Sequence, residues 1–402
     1  MKKAPALPLP SAQQKLITAA TAGGCETIAS AAALGRVLAE DIHTPRAFPD
    51  TRRSAVDGYA LDQTGRELYR VGETLGAGEL PQQQLGGAQA AAVMTGATVP
   101  EGGIAVVRVE DTERDGDDLI VKAGVSAGEN INNIGEEMAA GTIILRAGTR
   151  LTPVAHSVLC ATGIAEVSVY RLPRIGILIT GNEVLQLGAP HRPGSVYDSN
   201  RHFLVGCLTQ LGLDCTVLGP VNDEEVAIRN GLEELAESCD LVISSGGVSM
   251  GKYDFIRPLL HSSGFELLVN GTGIKPGRPL IVARRDGTLF FGMPGYPAAC
   301  LVNFYYYLLP TLKALMGLTE VMPVTRPVVL AETLKGRKGR WDILRLHLDS
   351  RDGQTRAWRL SSQLTSHFLN FGNCTGLTML DAESDSAAAG DCIELLDFRL
   401  QF

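Results

Sequence analysis

The stretch from Leu241 to Asp254 combines residue types that can bind an anion together with a metal ion. An apolar run leads into a polar loop that contains Gly246, Gly247 and Gly251. Because glycine has no side chain, the backbone N–H groups of such a loop can approach a phosphate directly. Asp254 then supplies a carboxylate, as a metal ion beside a phosphate requires. A plain turn between a strand and a helix would show the same glycines, so the loop alone fits either interpretation.

A second candidate element is the segment 273–279, in which Lys275 and Arg278 flank a Pro-Gly pair. Prolines restrict the backbone, so little conformational entropy is lost when these cations meet an anion. The segment therefore favours an anion site over the alternative, a simple surface turn.

Three further candidates allow two interpretations each from local sequence. Asp57 could reach a ligand, but an Asp-Gly hairpin turn explains its setting better. Thr95 lies in the loop 94–102, which is typical of either an oxyanion loop or a plain turn. Glu136 and Glu137 follow a glycine, a pattern that favours the exposed start of an acidic helix over a ligand site.

The elements that must position these residues alternate between strand and helix from Arg174 to Leu318. One helix is expected from Ser199 to Leu211, and another should be capped by Asp223. Residues 175–180 are apolar without alternation, as in a strand buried on both faces. Such a pattern predicts a doubly wound, mainly parallel sheet. Polar or glycine-rich loops follow its predicted strands, and ligands of such sheets bind at the carboxyl ends of the strands. The three loops expected to share one edge are 180–183, 244–249 and 292–297.

The remaining regions predict β structure and a small helical piece. Short apolar runs at 44–145, and again beyond Met322, indicate strands. A capping-box pattern at Ser11 predicts a helix, and an alanine-rich helix is expected near 30–38. A third helix should begin at Thr152 and Pro153 and end before Gly163.

Composition excludes several classes of protein. The chain has 402 residues, 45% of them hydrophobic, as in a globular protein of several domains. Its net charge of −8 argues against a nucleic-acid partner. No apolar run approaches the roughly 20 residues that span a bilayer, so no membrane partner is expected. The 8 cysteines lack metal-ligand spacing, and we expect buried thiols in a reducing cytoplasm.

Together these motifs resemble the MoeA family of molybdopterin molybdenumtransferases, which includes the gephyrin E domain. The motifs occur in the family's order and spacing, and the resemblance covers about residues 12–396. They are SAVDGYA at 54–60, MTGA at 94–97, TGNE at 180–183, SGGVS from 245 through Asp254, KPGRP at 275–279 and MPGYP at 293–297.

The resemblance implies a multidomain α/β plus β fold and an elongated homodimer with its active site in a cleft between subunits. The implied domains are a helical linker piece at 1–43 and 146–172, a β-rich lobe at 44–145, a MoaB/MogA-like α/β molybdopterin-binding domain at 173–320 and a C-terminal β-barrel at 321–402.

The resemblance also implies a reaction: molybdate is inserted into the dithiolene of adenylylated molybdopterin, with Mg²⁺, and AMP is released. A molybdopterin adenylyltransferase and client molybdoenzymes are the candidate partners. The implied catalytic residues are Asp57, Glu183, Asp223, Asp254 and Lys275, of which Glu183 and Asp254 would hold the metal. The implied substrate-binding residues are Thr95, Ser245, Gly246, Gly247, Ser249, Lys275, Arg278, Pro294 and Pro297.

Several positions depart from the family pattern. Asn132 and Gly271 replace cations, Glu137 replaces an aspartate, Tyr296 replaces an asparagine, and the C-terminal motif is blurred near Ser366. Lost cations would weaken anion binding, since charge-assisted hydrogen bonds contribute roughly 1.5–3 kcal/mol each.

These departures leave open a divergent paralogue that binds molybdopterin or the finished cofactor, or handles tungstate, and delivers it to a client. An adenylyltransferase shares the α/β domain, but the sequence of the glycine loop and the additional domains argue against it.

Overall fold

A computed structural model of the chain describes residues 6–247, 255–351 and 353–402. They form two compact units, each of which has its own core. The larger unit comprises Met1–Ala39, Gly148–His156 and Glu166–Phe402, and the smaller comprises Glu40–Ala147 and Ser157–Ala165.

Short strands predominate in the first 172 residues, where glycine and proline interrupt the apolar runs. The elements are α1 (Leu9–Ala19), β1 (Cys25–Ala29), β2 (Ile42–His43), β3 (Arg53–Ser54), β4 (Gly58–Leu61), β5 (Leu68–Leu75), β6 (Gln89–Val93), β7 (Ala105–Arg108), β8 (Thr112–Asp115), β9 (Asp118–Val121), β10 (Ile131–Asn132), β11 (Ile143–Leu145), α2 (Pro153–Ala161) and β12 (Glu166–Tyr170).

The smaller unit is built on a 6-stranded sheet with the order β7-β4-β6-β5-β9-β8. β4 is buried along its length and pairs antiparallel with β6 and β7. Gly58 begins β4 because any Cβ there would stand 2.0 Å from the carbonyl oxygen of Val107. The packing of β4 therefore fixes the backbone beside Asp57.

Strands and helices alternate in the middle of the chain. The elements are β13 (Ile175–Thr180), β14 (Val184–Leu185), β15 (Val196–Tyr197), α3 (Ser199–Leu211), β16 (Cys215–Val221), α4 (Glu225–Ser238), β17 (Leu241–Ser245), α5 (Ile256–Ser262), β18 (Glu266–Asn270), β19 (Ile274–Lys275), β20 (Ile281–Arg285), β21 (Thr288–Met293), α6 (Pro297–Asn303) and α7 (Leu309–Leu315). A π-helical turn, Phe304–Leu308, joins α6 to α7.

These strands form a 6-stranded sheet with the order β16-β13-β17-β21-β20-β18. β13, β16, β17 and β21 run parallel, and β20 is antiparallel to both of its neighbours. Ile177 packs into one apolar cluster and Leu178 into another, so β13 has both faces covered. The predicted doubly wound, mainly parallel sheet is confirmed.

The C-terminal region closes into a barrel. Its strands are β22 (Thr325–Leu330), β23 (Leu334–Lys335), β24 (Trp341–Arg351), β25 (Gln354–Arg359), β26 (Gly376–Leu380), β27 (Ser386–Ala387) and β28 (Cys392–Asp397). Because β24 pairs with both β25 and β26, the order β24-β25-β22-β28-β26 returns to β24. The barrel expected here is thus confirmed, and β19 adds to it beside β24.

Some local predictions hold and others are wrong. α3 has the expected bounds and ends at Gly212, whose φ of +77° only glycine adopts easily. The helix predicted from Ser11 begins earlier, at Leu9, because prolines fit the first helical turn. The alanine-rich helix near 30–38 is only a short 3₁₀ turn, Ser30–Ala32; Gly35, with a φ of +79°, turns the chain away.

The acidic helix favoured at Glu136 is also wrong. Asn133 N–H donates to Glu136 Oε2 at 2.6 Å, a side-chain bond that competes with helix formation.

No helix in the described part of the chain is long and apolar enough to cross a membrane. None of the 8 cysteines, all of which lie in described segments, is in a disulfide. Cys25, Cys160 and Cys392 are exposed, which corrects the expectation of buried thiols at these positions.

Candidate functional site

The parallel strands bring their following loops to one edge of the sheet. Gly181 N–H donates to the carbonyl oxygen of Val221 at 3.2 Å, and Gly246 N–H donates to that of Met293 at 3.1 Å. The Thr180 hydroxyl donates to the carbonyl oxygen of Ser245 at 3.4 Å. These bonds join neighbouring strand ends in turn, so the loops lie together as the sequence predicted. We call the assembled loops, residues 180–183, 219–223, 245–247 and 293–297, the rim.

Two carboxylates lie on the rim. Asp223 Oδ2 accepts the backbone N–H of Asn182 at 3.3 Å, and Asn182 Oδ1 accepts the N–H of Asp223 at 3.1 Å. Asp223 therefore does not cap α4 as predicted, because its carboxylate bonds across to the neighbouring loop. Glu183, next to Asn182, is exposed, and its carboxylate lies over Gly181.

The glycine loop, residues 245–247, can present its backbone to a ligand. Gly246 and Gly247 have φ values of +99° and +71°, and a Cβ on either would approach a neighbouring atom to within 2.9 Å. Only glycine satisfies both constraints at these positions. Ser249 and Asp254, which the sequence assigned to the end of this loop, lie outside the described residues.

Asn200 is a rim neighbour that the sequence reasoning missed. Its side-chain Nδ2 donates to Ser245 Oγ at 2.8 Å and to the carbonyl oxygen of Gly295 at 2.9 Å. The residue is 7% exposed and lies in the first turn of α3, which Asp198 caps by accepting the N–H of Arg201. The only signal in the sequence is an asparagine in the first turn of the helix expected from Ser199, since its contacts with the two loops follow from the fold.

The loop 293–297, the proline loop, follows β21. Pro294 is buried, and Pro297 begins α6. Neither carries an N–H donor, so both act by fixing the backbone of the loop. Tyr296 is 63% exposed between them and makes no side-chain capping bond to α6.

The cation segment, residues 273–279, presents two positive charges. Lys275 and Arg278 are exposed, and neither side chain has an ion-pair partner among the described residues. Behind them, Asn303 Nδ2 donates to the carbonyl oxygen of Gly277 at 3.1 Å, and Thr272 N–H donates to that of Arg278 at 2.9 Å. The segment thus has a braced backbone and cations that can meet an anion.

In the smaller unit, Asp57 and Thr95 form a pair. Asp57 Oδ1 accepts the backbone N–H of Thr95 at 2.6 Å and its hydroxyl at 2.8 Å. These two bonds hold the pKa of Asp57 below its usual range, and the bond from the backbone N–H of Thr95 has the larger effect. The favoured hairpin turn at Asp57 is wrong: β3 pairs with β10 and not with β4, so Asp57 lies between strands that are not paired.

The structure shows the surroundings of three residues that depart from the family pattern. Asn132 lies opposite Arg53 in the β10–β3 pair, and the guanidinium of Arg53 donates to Asp50 at 2.8 Å. Gly271 has a φ of +89°, where a lysine would be strained. Glu137 is exposed, and its N–H donates to the carbonyl oxygen of Phe48.

The C-terminal motif is a loop of the barrel. Just before Thr365, Ser366 and His367, Gln363 accepts from the buried Arg345 at 3.1 Å. This bond anchors the loop at a buried position.

Metal ligands are sparse in the described segments, where no group of three or more His, Cys, Asp and Glu residues could hold a metal ion. Mg²⁺ is commonly held by one or two carboxylates with substrate phosphates and water. Glu183 and Asp223 on the rim fit that requirement.

Comparison with known proteins identifies both halves of the chain. Residues 7–163 match the family model described as "MoeA N-terminal region (domain I and II)", and residues 176–314 match "Probable molybdopterin binding domain". The chain is similar to the molybdopterin molybdenumtransferase of Haemophilus influenzae, with 32% identity across 91% of this chain and 92% of that one. The chain is also similar to the Bacillus subtilis enzyme of the same name, with 33% identity across 78% of this chain and 76% of that one.

A solved structure matches over nearly the full length. The molybdopterin biosynthesis MoeA protein of Pyrococcus horikoshii aligns with a TM-score of 0.83 and 26% identity, covering 98% of this chain and 100% of that one.

Proposed function

The chain belongs to the molybdopterin molybdenumtransferase family of molybdenum cofactor biosynthesis, and we propose that it inserts molybdate into adenylylated molybdopterin with release of AMP. The observation that carries this proposal is the rim, where backbone N–H groups and carboxylates occur at the carboxyl ends of parallel strands. This is where α/β sheets bind phosphate-bearing ligands.

We assign separate tasks to the described residues. The glycine loop would bind phosphate with the Gly247 N–H and the Ser245 hydroxyl as donors. Gly246, whose N–H already donates to Met293, would let the backbone come close to the phosphate. Lys275 and Arg278 would bind the molybdate dianion or a phosphate, since they are exposed cations on a braced segment.

The carboxylates suit a magnesium ion. Glu183 would hold it, with Asp254 as the sequence predicts, and Asp223 stands in the neighbouring loop. When bound, Mg²⁺ would offset phosphate charge and polarise the adenylyl bond. Asp57 would accept a donor of the substrate through Oδ2, because both of its bonds from Thr95 use Oδ1.

We further propose a cytoplasmic homodimer that receives its substrate from a molybdopterin adenylyltransferase and supplies client molybdoenzymes. Support for the dimer comes from α2, where Val154 and Val158 are 75% and 42% exposed. They lie one helical turn apart, so they form an apolar face that a second copy could cover.

The test is an anaerobic incubation of the protein with adenylylated molybdopterin, MgCl₂ and molybdate, followed by measurement of AMP. We expect AMP release that requires Mg²⁺ and falls at least tenfold in Glu183→Gln, since hydrogen bonds and ligation by a charged group contribute about 1.5–3 kcal/mol. Parallel reactions with tungstate determine the oxyanion preference. Failure of the wild-type protein to release AMP would contradict the proposal.

A further inference from the structure

Asn200 donates to two different loops of the rim, and we infer that it is a positioning residue that holds the glycine loop and the proline loop in the arrangement that binds adenylylated molybdopterin. The inference rests on the proposed function for the identity of the ligand. Asn200 itself is buried and does not have to touch that ligand.

The two donated bonds use the full donor capacity of one carboxamide nitrogen. Nδ2 has two hydrogens, and its bonds to Ser245 Oγ and to the carbonyl oxygen of Gly295 are 2.8 and 2.9 Å long. Ser245 is the last residue of β17 and Gly295 follows β21, so a single side chain ties together the ends of two adjacent strands.

These loops need such a brace because glycine leaves them weakly constrained. Gly246 and Gly247 occupy left-handed conformations, and a Cβ on Gly295 would lie 3.7 Å from the Cα of Gly246. A loop of this composition loses much conformational entropy on ordering. Holding it in place beforehand lowers that cost when the ligand binds.

The bond to Ser245 also sets the direction of its hydroxyl. Ser245 Oγ accepts from Asn200, because an asparagine nitrogen can only donate. The hydroxyl hydrogen of Ser245 is then left to donate elsewhere, as a phosphate oxygen requires. Asn200 thereby fixes both the place and the polarity of a proposed binding group.

The cation segment has a separate brace. Asn303 is fully buried, and its Nδ2 donates to the carbonyl oxygen of Gly277 at 3.1 Å. Two buried asparagines thus support two parts of the proposed site. Replacement of one therefore serves as a comparison for replacement of the other.

The experiment compares Asn200→Ala with Asn303→Ala and with Gln13→Ala. Gln13 is 7% exposed and donates one bond to the carbonyl oxygen of Tyr306 at 2.8 Å, so its removal reports the loss of a buried carboxamide away from the rim. Affinities for adenylylated molybdopterin and for molybdate alone are titrated anaerobically for each variant, beside thermal unfolding.

We expect Asn200→Ala to weaken the binding of adenylylated molybdopterin by about tenfold or more while the affinity for molybdate stays at the wild-type level. Asn303→Ala should chiefly weaken molybdate, and Gln13→Ala should lower the unfolding temperature without changing either affinity. Unchanged affinity of Asn200→Ala for adenylylated molybdopterin, with only a lowered unfolding temperature, would overturn the inference.

Asn200→Asp provides the second variant should the alanine variant not fold. Its carboxylate can accept the Ser245 hydroxyl, which reverses the polarity of that bond and removes the donor to Gly295. Weaker binding of adenylylated molybdopterin by a folded Asn200→Asp protein supports the inference, and wild-type binding overturns it. A wild-type protein that neither binds nor cleaves adenylylated molybdopterin would instead overturn the proposed function, and with it the ligand that we assign to the brace.

Discussion

Asp57 has a carboxylate whose ionised form is stabilised by its neighbour and not by an opposite charge. The Thr95 N–H and hydroxyl both donate to it, and its pKa is lowered. The lowered pKa keeps the group ionised further into the acid range than an ordinary aspartate, so an enzyme can use it as a constant acceptor.

Replacement of Asp57 by Asn should remove the charge and put a donating NH₂ group in place of Oδ2, without unfolding the smaller unit, because the carboxylate is exposed. We expect AMP release to fall about tenfold or more. Thr95→Val removes only the hydroxyl, so it should raise the pKa of Asp57 and move the acid limb of the pH–rate profile to higher pH. An acid limb that is identical in Thr95→Val and the wild type would contradict a role for this pair.

Lys275 and Arg278 are the exposed cations of the cation segment. Alanine at either position should weaken molybdate binding by roughly 10- to 100-fold at low salt, and the loss should shrink at high ionic strength because salt screens the attraction. Lys338, an exposed lysine of the barrel whose amino group lies 4.0 Å from Asp385, provides a control when replaced by alanine. Equal molybdate affinities for Lys275→Ala and Lys338→Ala would remove Lys275 from the anion site.

Among the elements of the barrel, β28 ends in a buried carboxylate that forms ion pairs with two arginines. Asp397 is 1% exposed and lies 2.7 Å from a guanidinium nitrogen of both Arg326, in β22, and Arg399. The hydrogen bond from Arg399, chiefly, holds the pKa of Asp397 below its usual range. Since the pKa is lowered by folding, the carboxylate stabilises the barrel above the unfolded-state pKa of about 3.9, and this contribution is lost as the pH falls through the lower folded pKa.

Asp397→Asn should therefore destabilise the protein by about 1–3 kcal/mol at pH 7, a moderate loss because both arginines remain partly solvated. Urea unfolding of the variant and the wild type should give curves that converge as the pH is lowered to 3. A difference that stays constant from pH 7 to pH 3 would show that the carboxylate's charge is not responsible.

Elements whose cause is local could be predicted from the sequence. The unbroken apolar run of β13 and the capped, glycine-terminated α3 both have their signals within the element itself. The contacts of Asp223 and Asn200 could not be predicted in the same way, since their partners lie in other loops. Asn182 is 41 residues from Asp223, and Gly295 is 95 residues from Asn200. The glycine and cation motifs were found because their backbone requirements are encoded by glycine and proline themselves.

For the whole molecule, the exposed valines of α2 lead to a prediction about assembly. We expect a homodimer at micromolar concentration, and Val154→Ser with Val158→Ser should shift it towards the monomer because the apolar face is lost. Val226 on α4 is 68% exposed and serves as the control when replaced by serine. Sedimentation velocity decides: a wild-type monomer, or a dimer unchanged by the double replacement, would contradict this face as the interface.

The proposed reaction transfers molybdenum from molybdate to the dithiolene of molybdopterin on this protein. Molybdenum K-edge X-ray absorption, recorded after anaerobic incubation with adenylylated molybdopterin, MgCl₂ and molybdate, reports the atoms bound to the metal. We predict sulfur neighbours that appear together with AMP and are reduced in Glu183→Gln. Molybdenum that remains bound to oxygen alone, while AMP is released, would contradict the proposed reaction.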